Sequence, residues 1–400
     1  MKLLVVGHTY ITAFAQAKYV AMKHLSPELQ LRLVVPHEVS HVFMMYRPEL
    51  HKGLDPEEVV VLPSRINRSH MTRILQPSRF AALLKAFNPD HIHIEEDPHS
   101  LVGIETVFLA SRLCRRATVS MFIWDNLART PRFPLNVIKT AFTCYSLSHC
   151  GLVVCGNTEA QRLLTEIKRY VGPSLVLPQM GLDPDDYSGP LPQVLPEPLA
   201  KQDDIPVIGF IGRLLPEKGV LLLLEALSRL LSLRWKVLFV GDGVLKGEIC
   251  TRWKSILGER LIYVAPIPHR TVSGYMRRLD IFVLPSYSLP TWKEQFGLAL
   301  AQAMMAGVAC IGSSSGAIPE VLGPGGLIFK ERDVDDLARA LKRMLESEVL
   351  RKELGDKARG FAMQRYTNEV VATGYLKAFE NLAAINRLRK PPESSPRVGC

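Results

Sequence analysis

The 400-residue sequence is poor in the features that mark several common classes of protein. Its seven cysteines, at positions 114, 144, 150, 155, 250, 310 and 400, form no CxxC pair and are odd in number. They suggest neither a disulfide framework nor a zinc site and read as reduced, mostly core thiols. No run reaches the roughly 18 uninterrupted apolar residues of a membrane-spanning helix. The opening MKLLVV meets a glycine and polar residues too soon for a secretory signal, so the expectation is a cytoplasmic protein. No aromatic RNP motif or zinc-finger spacing is present, which sets nucleic acid aside. After Val6 only Gly7 precedes HTYITAFAQ, so the GxGxxG of a nicotinamide-binding fold is missing and a dehydrogenase is disfavoured. No GxxxxGK[ST] phosphate loop occurs either.

What is present fits a globular protein with more than one core. The chain is 47% hydrophobic and long enough for two domains of ordinary size. Its formal net charge of +10 bears on partners: an anionic membrane surface or a phosphorylated small molecule. Basic side chains crowd residues 65–79 (Arg65, Arg68, His70, Arg73, Arg79) and the tail after Asn386 (Arg387, Arg389, Lys390, Arg397). Each crowd reads either as a solvated face or as a peripheral contact with the inner face of a membrane.

Short β-branched runs alternate with helix-length segments, the pattern of a parallel sheet with crossover helices. Strands are expected at Lys2–Val6, Leu31–Val35, Glu58–Leu62, His91–Glu95, Thr118–Ile123, Leu152–Cys155 and Ser174–Leu177. After a polar, proline-rich break over 181–204 the alternation restarts with Val207–Ile211, Lys236–Val240, Leu261–Val264, Ile281–Leu284, Val308–Ile311 and Leu327–Phe329. The reading is therefore an α/β protein of two doubly wound domains, 1–180 and 205–367, joined by a linker. Residues 368–389 form a long amphipathic helix (Val371, Tyr375, Phe379, Leu382, Ile385), and 390–400 a disordered tail. Ligands of such folds bind outside the carboxyl ends of the strands, so a cleft is expected where the two sheets end.

Two motifs carry the chemistry. GRLLPEKG, residues 212–219, leaves one strand and enters a helix. There Arg213 can act as a fork and Lys218 as a point charge on a diphosphate, each contact contributing about 1.5–3 kcal/mol. KEQFGLALAQAMMAG, residues 293–307, follows a strand and Pro285-Ser286. Phe296-Gly297 reads as a helix entry whose N–H groups at Gly297 and Leu298 face an anion. Gln302 lies four residues past Leu298 on the same face, about 6 Å along the axis, where a ribose would follow a diphosphate. Glu294 precedes the first turn and is placed to accept from sugar hydroxyls.

GRLLPEKG, Leu284–Ser286, EQFGLALAQAMMAG and the later GAIPEVLG together resemble the retaining glycosyltransferases of family four, also called glycosyl transferases group 1. The resemblance is dense over 206–330 and looser elsewhere. It implies a GT-B fold of two Rossmann-like domains facing a central cleft, with the final helix returning to the N-terminal domain. It implies transfer of a hexose-type sugar from a nucleotide-sugar donor to an acceptor hydroxyl, with retention and without a metal or other cofactor. The family's donor-diphosphate arginine and lysine fall on Arg213 and Lys218, and the first glutamate of its Glu-x7-Glu motif on Glu294. The second glutamate is Gln302 here, whose amide can both donate to and accept from a ribose. The family's histidine at the end of the fourth strand is replaced. In DHIHIEEDPHS, Glu95 takes its place, where a carboxylate would stabilise oxocarbenium charge, while His91 and His93 read as strand residues.

Glu96, His99, Trp124 and Asn126 follow two first-half strands and are candidate contacts for a glycan or lipid-linked acceptor; Trp124 and Asn126 read equally well as a strand-to-loop anchor. Asp183-Pro-Asp185 and Asp333-Val-Asp335 read as local structure, not metal ligands. A sugar-nucleotide epimerase or hydrolase would keep the same phosphate grip, and a non-catalytic carbohydrate- or nucleotide-binding module would tolerate the change at Gln302.

Overall fold

The computed structural model describes the chain except for residues 42–43, 66–70, 129–132, 167, 169, 190–203 and 389–400. It divides into two compact units. The first holds Met1–Gly156, Ala160–Gly181 and the segment from Asn368 onward; the second holds Asn157–Glu159 and Leu182–Thr367.

The strands of the first unit are β1 (Lys2–Val6), β2 (Gln30–Pro36), β3 (Val39–His41), β4 (Met44–Tyr46), β5 (Val59–Leu62), β6 (Ser64–Arg65), β7 (Ile74–Leu75), β8 (His91–Ile94), β9 (Thr118–Ile123), β10 (Leu152–Cys155) and β11 (Ser174–Val176). Seven of them form one sheet in the order β11-β10-β9-β8-β1-β2-β5, every neighbouring pair parallel. The expected central strands are apolar runs because both faces are covered. The helices are α1 (Ala13–Leu25), α2 (Pro77–Phe87), α3 (Leu101–Leu113), α4 (Leu135–Ser148) and α5 (Thr158–Glu166). One face of the sheet packs Leu3, Val5, Leu31 and Leu33 against α1 and the chain's last helix. The other packs Leu4, Val6, Ile92 and Ile94 against α2 and α3. The sequence reading did not anticipate the hairpins β3-β4 and β6-β7, which are too short to show a period.

The second unit has β12 (Val207–Ile211), β13 (Lys236–Val240), β14 (Leu261–Val264), β15 (Ile281–Leu284), β16 (Ala309–Ser313) and β17 (Gly326–Phe329), again all parallel, in the order β14-β13-β12-β15-β16-β17. Its helices are α6 (Val220–Ser228), α7 (Lys246–Glu248), α8 (Lys254–Leu257), α9 (Val272–Met276), α10 (Leu298–Met305), α11 (Ile318–Leu322), α12 (Val334–Glu346) and α13 (Glu348–Arg365). The chain then re-enters the first unit as α14 (Asn368–Leu388), which seats Val371, Tyr375, Phe379 and Leu382 in that core. Within the expected linker, Leu182 bridges to Thr367 and Pro184–Tyr187 form a single 3-10 turn. Residues 190–203 of that linker and the expected tail, 390–400, lie outside the described residues. Asp183 caps the 3-10 turn through the Asp185 N–H, and Asp333 caps α12 through the Asp336 N–H. No helix among the described residues is long and apolar enough to cross a membrane.

Candidate functional site

Each sheet reverses its strand order once, at β1/β8 and at β12/β15. The loops leaving two such strands diverge and open a crevice at the carboxyl edge. In the second unit both sequence motifs leave that pair of strands. Arg213 follows β12, is exposed, and makes no side-chain hydrogen bond or ion pair among the described residues. Lys218 closes the 3-10 turn Pro216–Lys218, and Gly219 then caps α6 at φ 70°. A Cβ at Gly219 would stand 1.9 Å from the Pro285 carbonyl oxygen, so glycine lets the two loops touch.

That contact brings Lys218 to the residues after β15. Lys218 Nζ donates to Glu294 Oε2 at 2.7 Å, Ser286 Oγ donates to the same oxygen at 3.0 Å, and the ammonium lies 4.5 Å from the Trp292 ring centroid. Ser286 and Glu294 are buried, and the Ser313 hydroxyl donates to the Ser286 carbonyl. The Glu294 carboxylate is thus aimed by two donors and charge-matched by a lysine. Gly297 opens α10 at φ 81° with no side-chain cap, leaving the first-turn N–H groups of Leu298 and Ala299 for a ligand, while Leu300 N–H donates to the Gly297 carbonyl. Phe296 is packed edge-on to Tyr366, with centroids 5.5 Å apart. Gln302 lies one turn along α10, buried; its Nε2 is 3.3 Å from His269 Nε2, and it hydrogen-bonds the Tyr187 hydroxyl, whose pKa burial raises well above the ordinary value. The structure therefore brings together Lys218, Glu294, Gly297 and Leu298, with Arg213 on the adjoining loop. The grouping offers two cations, a helix N-terminus and a carboxylate with acceptor capacity, the combination that suits a phosphorylated sugar.

The first unit has its own cluster at the β1/β8 edge. Glu96 is buried, and its Oε1 accepts from the His8 backbone N–H and stands 2.9 Å from His8 Nδ1. Burial opposes protonation of His8, but Glu96 prevails and its pKa is raised. His99 is half-buried with its pKa lowered, first by burial. Trp124 Nε1 donates to Gln179 Oε1 at 2.9 Å, and Gln179 in turn donates to Thr9 Oγ1 at 3.4 Å. Asn126 is buried.

Glu95 requires a correction. Side chains alternate along a strand, so His91, His93 and Glu95 share one face, and that face lies beneath α1 and α14. The Glu95 side chain is fully enclosed: Oε1 accepts from Lys18 Nζ at 2.8 Å and Tyr19 Oη at 2.9 Å, and His93 Nε2 is 3.1 Å away. Burial alone would raise this carboxyl, yet Lys18 and His93 hold it well below the usual carboxylate range. It is a core counter-ion, not an acid at an open edge. The basic stretch 65–79 changes in the same way, since Arg73 is buried, Arg79 is exposed and 66–70 lie outside the described residues. His8, Lys18 and Trp292 were not singled out from the sequence, and Ser286 was read only as part of the Leu284–Ser286 strand end. His8 and Ser286 carried a signal there, each standing two residues past a strand that flanks a reversal of strand order.

This pairing of two doubly wound parallel-sheet units with a helix returning from the chain's end defines the GT-B class of fold. The structure matches a glycosyltransferase from Rickettsia africae with a TM-score of 0.71 at 16% identity, covering 98% of this chain and 99% of that one. It matches Anabaena HepE in complex with UDP with a TM-score of 0.69 at 15% identity, covering 95% and 100%. Residues 193–361 match the family model described as Glycosyl transferases group 1. Among curated proteins, a D-inositol 3-phosphate glycosyltransferase of Stackebrandtia nassauensis is 26% identical over 260 residues, 62% of this chain and 57% of that protein. An N-acetyl-alpha-D-glucosaminyl L-malate synthase of Bacillus anthracis is 30% identical over 146 residues, 35% and 36% respectively. The chain thus spans little more than half, or less, of the length of these curated relatives.

Proposed function

We propose that the protein is a retaining, metal-independent glycosyltransferase that moves a hexose-type sugar from a nucleotide-sugar to an acceptor hydroxyl on a glycan or lipid-linked carrier. The observation that carries this reading is the Glu294 carboxylate, held by Lys218 and Ser286 one residue before Gln295-Phe296 and the uncapped start of α10. Donor sugar hydroxyls would donate to Glu294. Arg213, Lys218 and the α10 N-terminus would receive the diphosphate and stabilise the charge that builds on it as the glycosidic bond breaks. Those charges stand where a metal would otherwise act. As the anomeric bond to the diphosphate breaks, the acceptor oxygen would bond to the anomeric carbon from that same face, and a diphosphate oxygen would take the acceptor proton. Glu95, enclosed in the core, has no part in this scheme; Glu96, His99, Trp124 and Asn126 remain the acceptor-side candidates.

The test starts from UDP, the ligand of the Anabaena protein, and a panel of nucleotide-sugars. Arg213→Ala and Lys218→Ala should lower turnover more than donor affinity, because their charge pairs best with the departing diphosphate. Transfer should survive exhaustive chelation. Near-normal rates in both variants at saturating donor, or activity lost to chelator and restored by magnesium or manganese, would refute the assignment.

A further inference from the structure

Three elements of the second unit converge on the amide of Gln302. α10 carries Gln302 itself, one turn past Leu298. His269 opens the 3-10 turn His269–Thr271 beyond the carboxyl end of β14, and Tyr187 closes the 3-10 turn Pro184–Tyr187. Gln302 and Tyr187 are buried, whereas His269 is exposed.

The atoms decide which group donates. Gln302 Nε2 lies 3.3 Å from His269 Nε2. An amide nitrogen offers N–H donors and no acceptor, so the imidazole accepts there, neutral and with its proton on Nδ1. On the other side, burial raises the pKa of the Tyr187 hydroxyl and the hydrogen bond with Gln302 opposes that rise. Only a donor favours a phenolate, so this bond uses the second amide N–H. Both protons of Nε2 thus have protein partners, and Oε1 accepts from no group among the described residues. Turning the amide over would set Oε1 against the lone pair of the neutral His269 ring.

We propose that His269 is a positioning residue for the nucleotide: it holds Nε2 of Gln302 and so leaves Oε1 as the acceptor for the ribose hydroxyls. The amide then offers what a carboxylate would offer, an acceptor oxygen, without a negative charge about one turn from the diphosphate. A glutamate at this position would carry an oxygen on either side and would need no partner to orient it. The inference rests on the donor assignment, which places a ribose at Gln302.

Whichever of UDP, ADP and GDP the parent binds most tightly is titrated by calorimetry beside its dideoxyribose analogue. His269→Ala should weaken binding of the ribose-bearing ligand about five- to tenfold and that of the analogue less than about twofold. In the Gln302→Glu background the same substitution should change either affinity by less than about twofold. His269 is exposed, so the melting temperature should not move. Equal losses for ligand and analogue, or a loss that persists in the Gln302→Glu background, overturns the inference and leaves the donor assignment standing. A parent that binds ligand and analogue equally, or binds none of the three diphosphates, overturns the donor assignment together with the inference.

Discussion

Gln302 meets its partners inside its own unit, with His269 and Tyr187 on either side of its amide. Replacing it with alanine removes an acceptor and a donor from a buried position, and should weaken UDP binding by roughly 1–3 kcal/mol if the ribose shares that amide. Gln302→Glu accepts from both ribose hydroxyls but adds a negative charge about one turn from the diphosphate, so it should stay within about tenfold of the parent. Calorimetric titration of the three proteins decides the matter, and equal affinity for parent and alanine variant would show that Gln302 does not touch the nucleotide. Lys18 poses a stability question of a different kind. Lys18→Met strands the Glu95 carboxylate in the core and should cost about 3–5 kcal/mol in urea unfolding. Lys18→Met with Glu95→Leu should recover much of that, because no charge is then left unpaired. The sequence alone singled out Arg213, Lys218 and Glu294, whose spacing from strand ends is local. It could not disclose Lys18, because a lysine in a helix reads as solvated until a segment some 350 residues later, α14, covers it.

Elements were legible where burial imposes a period. Thr118–Ile123, Leu152–Cys155 and the four strands β12, β13, β15 and β16 of the second unit show as apolar runs because neither face meets water. α3 shows what such a reading omits. Its N-cap is plain, Ser100 Oγ accepting from the Gly103 N–H at 3.0 Å, but the environment of Glu105 is not. Desolvation pushes the Glu105 carboxyl up to about 7, although the Leu75 N–H opposes it. Unfolded, a glutamate titrates near about 4.3. The folded state therefore binds that proton more tightly, and stability falls as pH rises from about 4 through about 7, then stays lower. Glu105→Gln keeps an acceptor for Leu75 without the charge. Thermal unfolding should show the variant more stable than the parent at pH 8 and equal to it at pH 4; a difference independent of pH would refute the assignment.

At the scale of the molecule, the chain leaves the first unit at Leu182 and returns to it at Asn368. Val371, Tyr375, Phe379 and Leu382 are all buried in the first unit's core. Each such side chain contributes about 1.5–3 kcal/mol by burial, a total comparable with the roughly 5–15 kcal/mol that holds a domain folded. A chain truncated after Thr367 should therefore lose the cooperative unfolding of the first unit while the second keeps its affinity for UDP. Differential scanning calorimetry with and without UDP separates the two, and a first transition unchanged by truncation would contradict this account. The sequence by itself determined the alternation of strands and helices and the position of the two motifs that carry Arg213, Lys218 and Glu294, because each depends on contacts within a few residues. The tertiary structure alone decided which acids face solvent and which cation sits in a core. Those outcomes depend on what distant segments bring to the same place, and no local pattern records that.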